Sequence, residues 1–126
     1  MYSILKRLNE KRKRDKQFKQ MLAIHRQFSH FTMMDAHLYA DNLLVAMKAN
    51  HISGDVVECG VWRGGMSAGM ATVLTGQRTY YLFDSFEGMP APKDIDGSAA
   101  HSWYRGEMPH SYYNNCTAEE SYASEA

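Results

Sequence analysis

The stretch Gly54-Asp-Val-Val-Glu-Cys-Gly-Val-Trp-Arg-Gly-Gly65 limits what this chain can fold into more than any other feature. Asp55 to Cys59 is a short apolar run rich in β-branched valine and bounded by glycine, the pattern of a buried strand. Gly60 to Gly65 is a turn, Met66 to Leu74 has helical character and is closed by Gly76, and Thr79 to Phe83 is a second β-branched and aromatic run. The order strand, glycine turn, helix, strand predicts an α/β fold containing a parallel βαβ unit, whose handedness and loop placement are nearly fixed. Two parallel strands do not bury both faces by themselves, so such a unit needs helical cover and further strands.

In an open α/β sheet a ligand lies outside the carboxyl ends of the strands, where glycine lets the backbone approach and a helix N-terminus offers free N–H groups. Gly60, Gly64 and Gly65 fall at that place. Ser67, in the first turn of the helix, can donate to a ligand carboxylate, and Glu58, closing the first strand, can accept from an ammonium group directly or through water. Asp84 ends the second strand 24 residues after Gly60, near the offset of about 20 at which an acid meets a ribose diol in dinucleotide folds. These positions point to an adenosine ligand. The spacing G-x-x-x-G-G departs from the G-x-G-x-x-G of nicotinamide-binding turns, and no Gly-Lys-Ser/Thr follows to make a P-loop. A sulfonium carrying an amino-acid tail needs fewer phosphate-cradling amides and suits Glu58 better than a pyrophosphate does. Each residue also has a plainer role open to it: Gly60 and Gly64 a tight turn, Asp84 a loop cap, Glu58 an ion pair with Arg63 or Arg78.

Upstream, Ile4 to Phe28 lacks Gly and Pro, and Phe18, Met21, Leu22, His25 and Phe28 recur at helical steps, predicting a helix with one apolar side that thins between Leu8 and Phe18. Ser29 to Thr32 breaks the pattern. Thr32 with Asp35 three residues on reads as an N-cap for a buried helix over Met33 to Ala49, ending near Asn50-His51 before Ser53-Gly54. Residues 85–116 hold Pro90, Pro92 and Pro109 and many aromatics without a period, which reads as a long functional loop, and Thr117-Ala-Glu-Glu120 resembles a capping box opening a last helix.

With 126 residues there is room for one modest domain. No stretch nears the roughly 18 apolar residues of a membrane span, and no apolar h-region follows the basic N-terminus, so a soluble cytoplasmic protein is expected. Cys59 and Cys116 suggest neither a disulfide framework nor a zinc site, and both are expected as reduced thiols. The net charge of zero conceals an asymmetry: residues 1–30 hold nine Lys and Arg against Glu10 and Asp15, whereas residues 31–126 hold five against twelve acids. Residues 1–30 are therefore read as a basic amphipathic helical arm, with Lys11-Arg-Lys-Arg14 a solvated helix face in preference to a nucleic-acid or anionic-membrane contact.

From Phe31 to Gly97 the chain resembles the macrocin O-methyltransferase-like family, S-adenosylmethionine-dependent class I enzymes that methylate sugar hydroxyls of macrolides and related glycosides. The likeness rests on Thr32-Met33 before an apolar helix, on the string from Gly54 to Gly65, and on Phe83-Asp-Ser-Phe-Glu-Gly-Met-Pro90 with Asp96-Gly97 shortly after. It implies an incomplete Rossmann-like class I methyltransferase fold, N-terminal helices followed by the βαβ unit, with residues 31–126 a partial S-adenosylmethionine-binding domain truncated at its C-terminus. By the same resemblance Glu58, Cys59, Gly60, Val61, Trp62, Arg63, Gly64 and Gly65 line the methionine end of the cofactor, with Ser67 beside them. Asp84 meets the ribose, Ser85 and Phe86 lie near the adenine, and Thr32 and Met33 belong to a lid. Trp103, Tyr104, Tyr112 and Tyr113 either cover the acceptor or pin their loop to the core.

The implied reaction is methylation of a sugar hydroxyl of a small-molecule glycoside, with no nucleic-acid partner, no transmembrane segment and homo-oligomerisation left open. The family's divalent metal, usually magnesium, and its general base are held in a later half, and Asp94, Asp96, His101 and His110 lack metal-ligand spacing. The alternative is therefore a cofactor-binding module without the metal and base half.

Overall fold

The first helix, α1 (Tyr2–Phe28), runs 27 residues. Its two halves behave differently. Ile4, Leu5 and Leu8 are exposed among the basic residues, whereas Met21 and Phe28 are buried and Phe18, Leu22 and Ile24 pack partly against the core. The thinning of the apolar stripe before Phe18 thus marks where packing begins. The computed structural model describes residues 2–108 and 114–126; Pro109, His110, Tyr112 and Tyr113, singled out above, lie outside the described residues. No helix among the described residues is long and apolar enough to cross a membrane.

A 3₁₀ turn over Ser29–Phe31 leads to α2 (Ala36–Met47), which starts later than the sequence predicts. Its N-cap is Asp35, not Thr32: Oδ1 of Asp35 accepts from the N–H of His37 at 2.8 Å and of Leu38 at 3.3 Å. Thr32 instead accepts the Met34 N–H on its Oγ1 at 3.1 Å, holding an extended link before the helix. α2 places Tyr39, Ala40 and Leu43 in full burial, and these with Met21 form the core. At its far end the 3₁₀ turn Lys48–His51 carries Asn50, which donates to the Val73 carbonyl (3.0 Å) and accepts the Thr75 N–H (2.6 Å).

β1 (Val56–Cys59) and β2 (Tyr80–Phe83) pair in parallel, Val56 opposite Tyr80 through Cys59 opposite Phe83, with α3 (Gly65–Val73) as the crossover. The βαβ unit appears where the glycine and β-branched pattern predicts it. The strands are covered on one face only: Val56, Glu58, Tyr80 and Leu82 are half-buried, while Val57, Tyr81 and Phe83 are 63%, 48% and 56% exposed. The expected buried strand is therefore a one-sided strand here: on one face Glu58 meets Ser67 of α3, while Val57, Tyr81 and Phe83 on the other are exposed.

Helix packing hinges on Tyr39. Its hydroxyl donates to the Gly65 carbonyl at 2.7 Å, and its ring meets His25 edge-on at a centroid distance of 5.1 Å. His25 in turn donates through Nε2 to the Met34 carbonyl at 3.2 Å. Burial, reinforced by the charge of Glu58, pushes the Tyr39 phenol up to about 12. α3 accepts this phenol because residue 69 is glycine: a Cβ there would lie 2.0 Å from the Tyr39 oxygen.

Residues 85–116 differ from the expected loop. A 3₁₀ turn, Asp94–Asp96, opens α4 (Gly97–Tyr104), and Asp96 accepts the Lys93 N–H at 2.7 Å. A helix of 8 residues shows too few repeats for periodicity to reveal it. The last helix, α5 (Glu120–Glu125), forms near its expected place, but Glu119 is its N-cap and no side-chain cap is made, so the capping box of Thr117 and Glu120 is not realised.

Gly69→Ala is expected to destabilise the fold by about 2 kcal/mol, since overpacking against an immobilised phenol costs about 3 kcal/mol and alanine's helix preference returns about 1 kcal/mol. Urea unfolding measures it; an unchanged midpoint contradicts the packing described.

Candidate cofactor site at the glycine turn

The carboxyl ends of β1 and β2 are joined by hydrogen bonds from the turns that follow them. Gly60 donates its N–H to the Phe83 carbonyl at 2.8 Å, extending the ladder, and Gly64 closes the turn by donating to the Val61 carbonyl at 3.0 Å. Gly64 is the N-cap of α3 with φ 83°, a conformation that favours glycine. Gly65 is constrained differently: a Cβ there would sit 2.5 Å from the Phe31 carbonyl oxygen and 3.0 Å from Thr32 Cβ. The structure thereby brings Thr32 against the turn, although 33 residues of sequence separate it from Gly65. Met33 beside it is exposed. Gly60 is open, with no atom within 4 Å of where a side chain would begin.

Asp84 organises this end of the sheet. Its Oδ2 accepts the Trp62 N–H at 2.8 Å and its Oδ1 the Phe86 N–H at 2.7 Å. Burial pushes the carboxyl upward, but the backbone N–H groups of Trp62, Phe86, Val61 and Ser85 outweigh it and hold it below the ordinary 3.8. Both Trp62 (φ 52°) and Phe86 (φ 57°) are left-handed, an uncommon state for aromatic residues. Ser85 accepts the Glu87 N–H at 3.3 Å and is exposed.

Glu58 points from β1 toward α3, where the buried Ser67 hydroxyl donates to its Oε2. Burial pushes the Glu58 carboxyl up, and the Ser67 hydroxyl and N–H partly offset that shift. Ser67, read in sequence as a donor to a ligand, is engaged by this carboxylate instead. Neither suggested arginine pairs with Glu58. Arg78 donates to the carbonyls of Thr75, Gly54 and Ile52 at 3.1, 2.8 and 2.7 Å. The Arg63 guanidinium lies 4.5 Å from the Trp62 ring centroid and 4.4 Å from that of Tyr122, a double cation–π arrangement.

Val61 is buried, while Cys59 is exposed and lies on the uncovered sheet face. The structure thus brings Thr32, Glu58, Ser67, Asp84, Phe86 and the glycines to one end of the sheet and leaves Cys59 and Ser85 at its margin. Sequence reasoning missed Thr117 and Tyr122: the Trp62 indole N–H donates to the Thr117 carbonyl at 3.3 Å, and Ala123 packs against Gly64. Only a carbonyl and a ring face act there, so no motif announces them.

The profile of the family described as Macrocin-O-methyltransferase (TylF) matches residues 8–109. Among curated proteins, the chain is similar to 8-demethyl-8-(2,3-dimethoxy-alpha-L-rhamnosyl)-tetracenomycin-C 4'-O-methyltransferase of Streptomyces olivaceus, 46% identical over 57 residues, which is 40% of this chain and 22% of that protein. It is also similar to demethyldecarbamoylnovobiocin O-methyltransferase of Streptomyces niveus, 44% identical over 45 residues, 32% of this chain and 17% of that one. The chain therefore aligns with about a fifth of the length of these relatives. No solved structure matches.

Asp84→Asn is expected to lower thermal stability at neutral pH, because an amide offers one acceptor oxygen to two N–H donors. A depressed folded pKa means the aspartate's contribution is complete above its ordinary 3.8 and is lost as pH falls through the folded value. The difference between wild type and variant should therefore shrink in acid, as melting curves from pH 7 downward will show; a gap independent of pH contradicts the carboxylate's role.

Proposed function

Since the chain belongs to the Macrocin-O-methyltransferase (TylF) family, we propose that it carries the S-adenosylmethionine-binding part of an O-methyltransferase. The whole protein, in this reading, methylates a sugar hydroxyl of a small-molecule glycoside, as the rhamnosyl group in the name of the Streptomyces olivaceus relative suggests. The observation that carries the proposal is the pair of carboxylates at adjacent carboxyl ends of parallel strands, Glu58 and Asp84, flanking a turn whose Gly60 faces open space. One carboxylate suits an ammonium group and the other a ribose diol, the two polar ends of an adenosyl amino acid.

Residues 1–30 then form a basic helical arm whose second half packs into the core of the Rossmann-like class I cofactor domain of residues 31–126. Glu58 accepts from the ammonium, with Ser67 holding its carboxylate in place. Gly60, Val61, Trp62, Arg63, Gly64 and Gly65 form the wall at the methionine end, with Cys59 at its margin and Arg63 kept over the turn by its two rings. Asp84 uses acceptor capacity left beyond its two short backbone bonds to take the ribose, with Ser85 and Phe86 beside the base. In this reading Thr32, which lies against Gly65, and the following Met33 serve as the lid.

Bound there, S-adenosylmethionine would supply an electrophilic methyl group, and the residues above would hold and orient it. No group of three or more His, Cys, Asp or Glu among the described residues can hold a metal ion. Magnesium does not fit these residues and enters no step here.

Titration calorimetry with S-adenosylhomocysteine is expected to show binding, and Glu58→Gln to weaken it by roughly tenfold or more, the loss of a charged hydrogen bond. 5'-Methylthioadenosine, which lacks the amino-acid tail, should bind both proteins alike. Because the Glu58 carboxyl titrates above its ordinary 4.5, the tail's contribution should fade as pH falls through that raised value. A folded sample that binds neither ligand overturns the proposal; binding without methyl transfer to any glycoside supports a cofactor-binding module.

A further inference from the structure

Building on that reading, we infer that the cleft between Met89–Pro92 and α4 is a second site, which takes the flat, apolar aglycone of the glycoside while the sugar stays outside it. The cleft has a volume of about 540 Å3 and is lined chiefly by Met89, Pro90, Pro92, Ala100, Trp103 and Tyr104. That volume falls within the roughly 300 to 1,000 Å3 typical of small-molecule sites. Proline and aromatic rings are rigid, flat surfaces, and they favour a flat ring system over a flexible chain.

The polarity of the lining decides which part of the acceptor enters. Asp96 is its charged residue, and the remaining polar atoms are few. Each sugar hydroxyl buried without a partner would cost about 1 to 3 kcal/mol, so a polyhydroxylated ring is disfavoured here whereas an aromatic one is not.

The cleft is fastened to the cofactor turn. The Met89 N–H donates to the Asn115 carbonyl at 2.9 Å, and the Asn115 side-chain amide donates back to the Met89 carbonyl at 2.6 Å. Gly88 permits this closure: a Cβ on it would lie 2.4 Å from the Asn115 carbonyl oxygen. Two residues on, the Thr117 carbonyl receives the Trp62 indole from the glycine turn. Cys116, which lines the cleft, has its thiol pushed up by burial and by the Asp84 charge. An aglycone held in the cleft is therefore indexed against the same frame that carries Asp84, and its attached sugar projects from a fixed anchor.

The probes are 7-hydroxycoumarin and its O-glucoside, followed by fluorescence anisotropy, alongside calorimetry with S-adenosylhomocysteine. Both coumarins should bind, methyl glucoside should not displace them, and saturating S-adenosylhomocysteine should leave them in place. Trp103→Ala, which removes a wall, and Ala100→Phe, which fills the cleft without emptying the core, should each weaken coumarin binding by about tenfold, the usual scale for an aromatic anchor at a binding surface, with S-adenosylhomocysteine affinity unchanged. Displacement of coumarin by S-adenosylhomocysteine would assign the cleft to adenine and overturn the inference. Unaltered coumarin binding in folded Ala100→Phe, or displacement by methyl glucoside, overturns it as well. Failure of S-adenosylhomocysteine to bind the wild type sinks the cofactor reading, a result separate from the coumarin arms.

Discussion

Asp84 stands at the last position of a strand-to-loop transition and accepts N–H groups from two turns at once, that of Trp62 after β1 and that of Phe86 after β2. Both donors have left-handed backbones, a conformation costing an L-residue roughly 1 to 2 kcal/mol. A single ionised acceptor stabilises the two strained residues together, since hydrogen bonds to a charged group are worth about twice neutral ones. The shape of the ligand crevice follows from it. Trp62 is set so that its indole reaches Thr117 and its ring meets Arg63, and Phe86 is set so that the chain turns toward Gly88 and the apolar cleft.

The helical layer supplies the other half of the site's rigidity. Tyr39 is buried between α2 and α3 with its hydroxyl on the Gly65 carbonyl, at the end of α3 that forms the crevice. The Phe31 carbonyl lies directly against Gly65. The first turn of α3 is thus gripped from the core side and from the interhelix link, and Ser67, one half-turn on, presents its hydroxyl to Glu58 from a fixed base. Burial of Glu58 and burial of Tyr39 are coupled electrostatically, the carboxylate's charge adding to the rise of the phenol.

Much of this was legible in the sequence, and the exceptions have physical causes. The βαβ unit could be read because valine runs bracketed by glycine leave few alternatives. The cap of α2 could not be placed from sequence: Thr32 and Asp35 are both competent caps, and the choice depends on where the interhelix link rests, a tertiary matter settled at Gly65. α4 escaped because 8 residues hold barely two helical turns. Glu58 had two arginines as candidate partners, yet Arg78 is drawn to three backbone carbonyls and Arg63 to two rings, which leaves a serine hydroxyl. The cleft beside α4 had no signature, because its walls come from a proline segment and a helix that no motif connects.

The uncovered face of the sheet has a practical consequence. Val57, Tyr81 and Phe83 form an apolar surface on two strands, and among the described residues neither strand has a second neighbour. Such a face, bordered by unsatisfied N–H and C=O groups, is a template for strand addition and colloidal association. Sample concentration is therefore the quantity to watch when this chain is handled alone: this apolar surface is on the opposite side of the sheet from the carboxylate of Glu58, so charges introduced at Val57 or Tyr81 would improve dispersal without altering that carboxylate's surroundings.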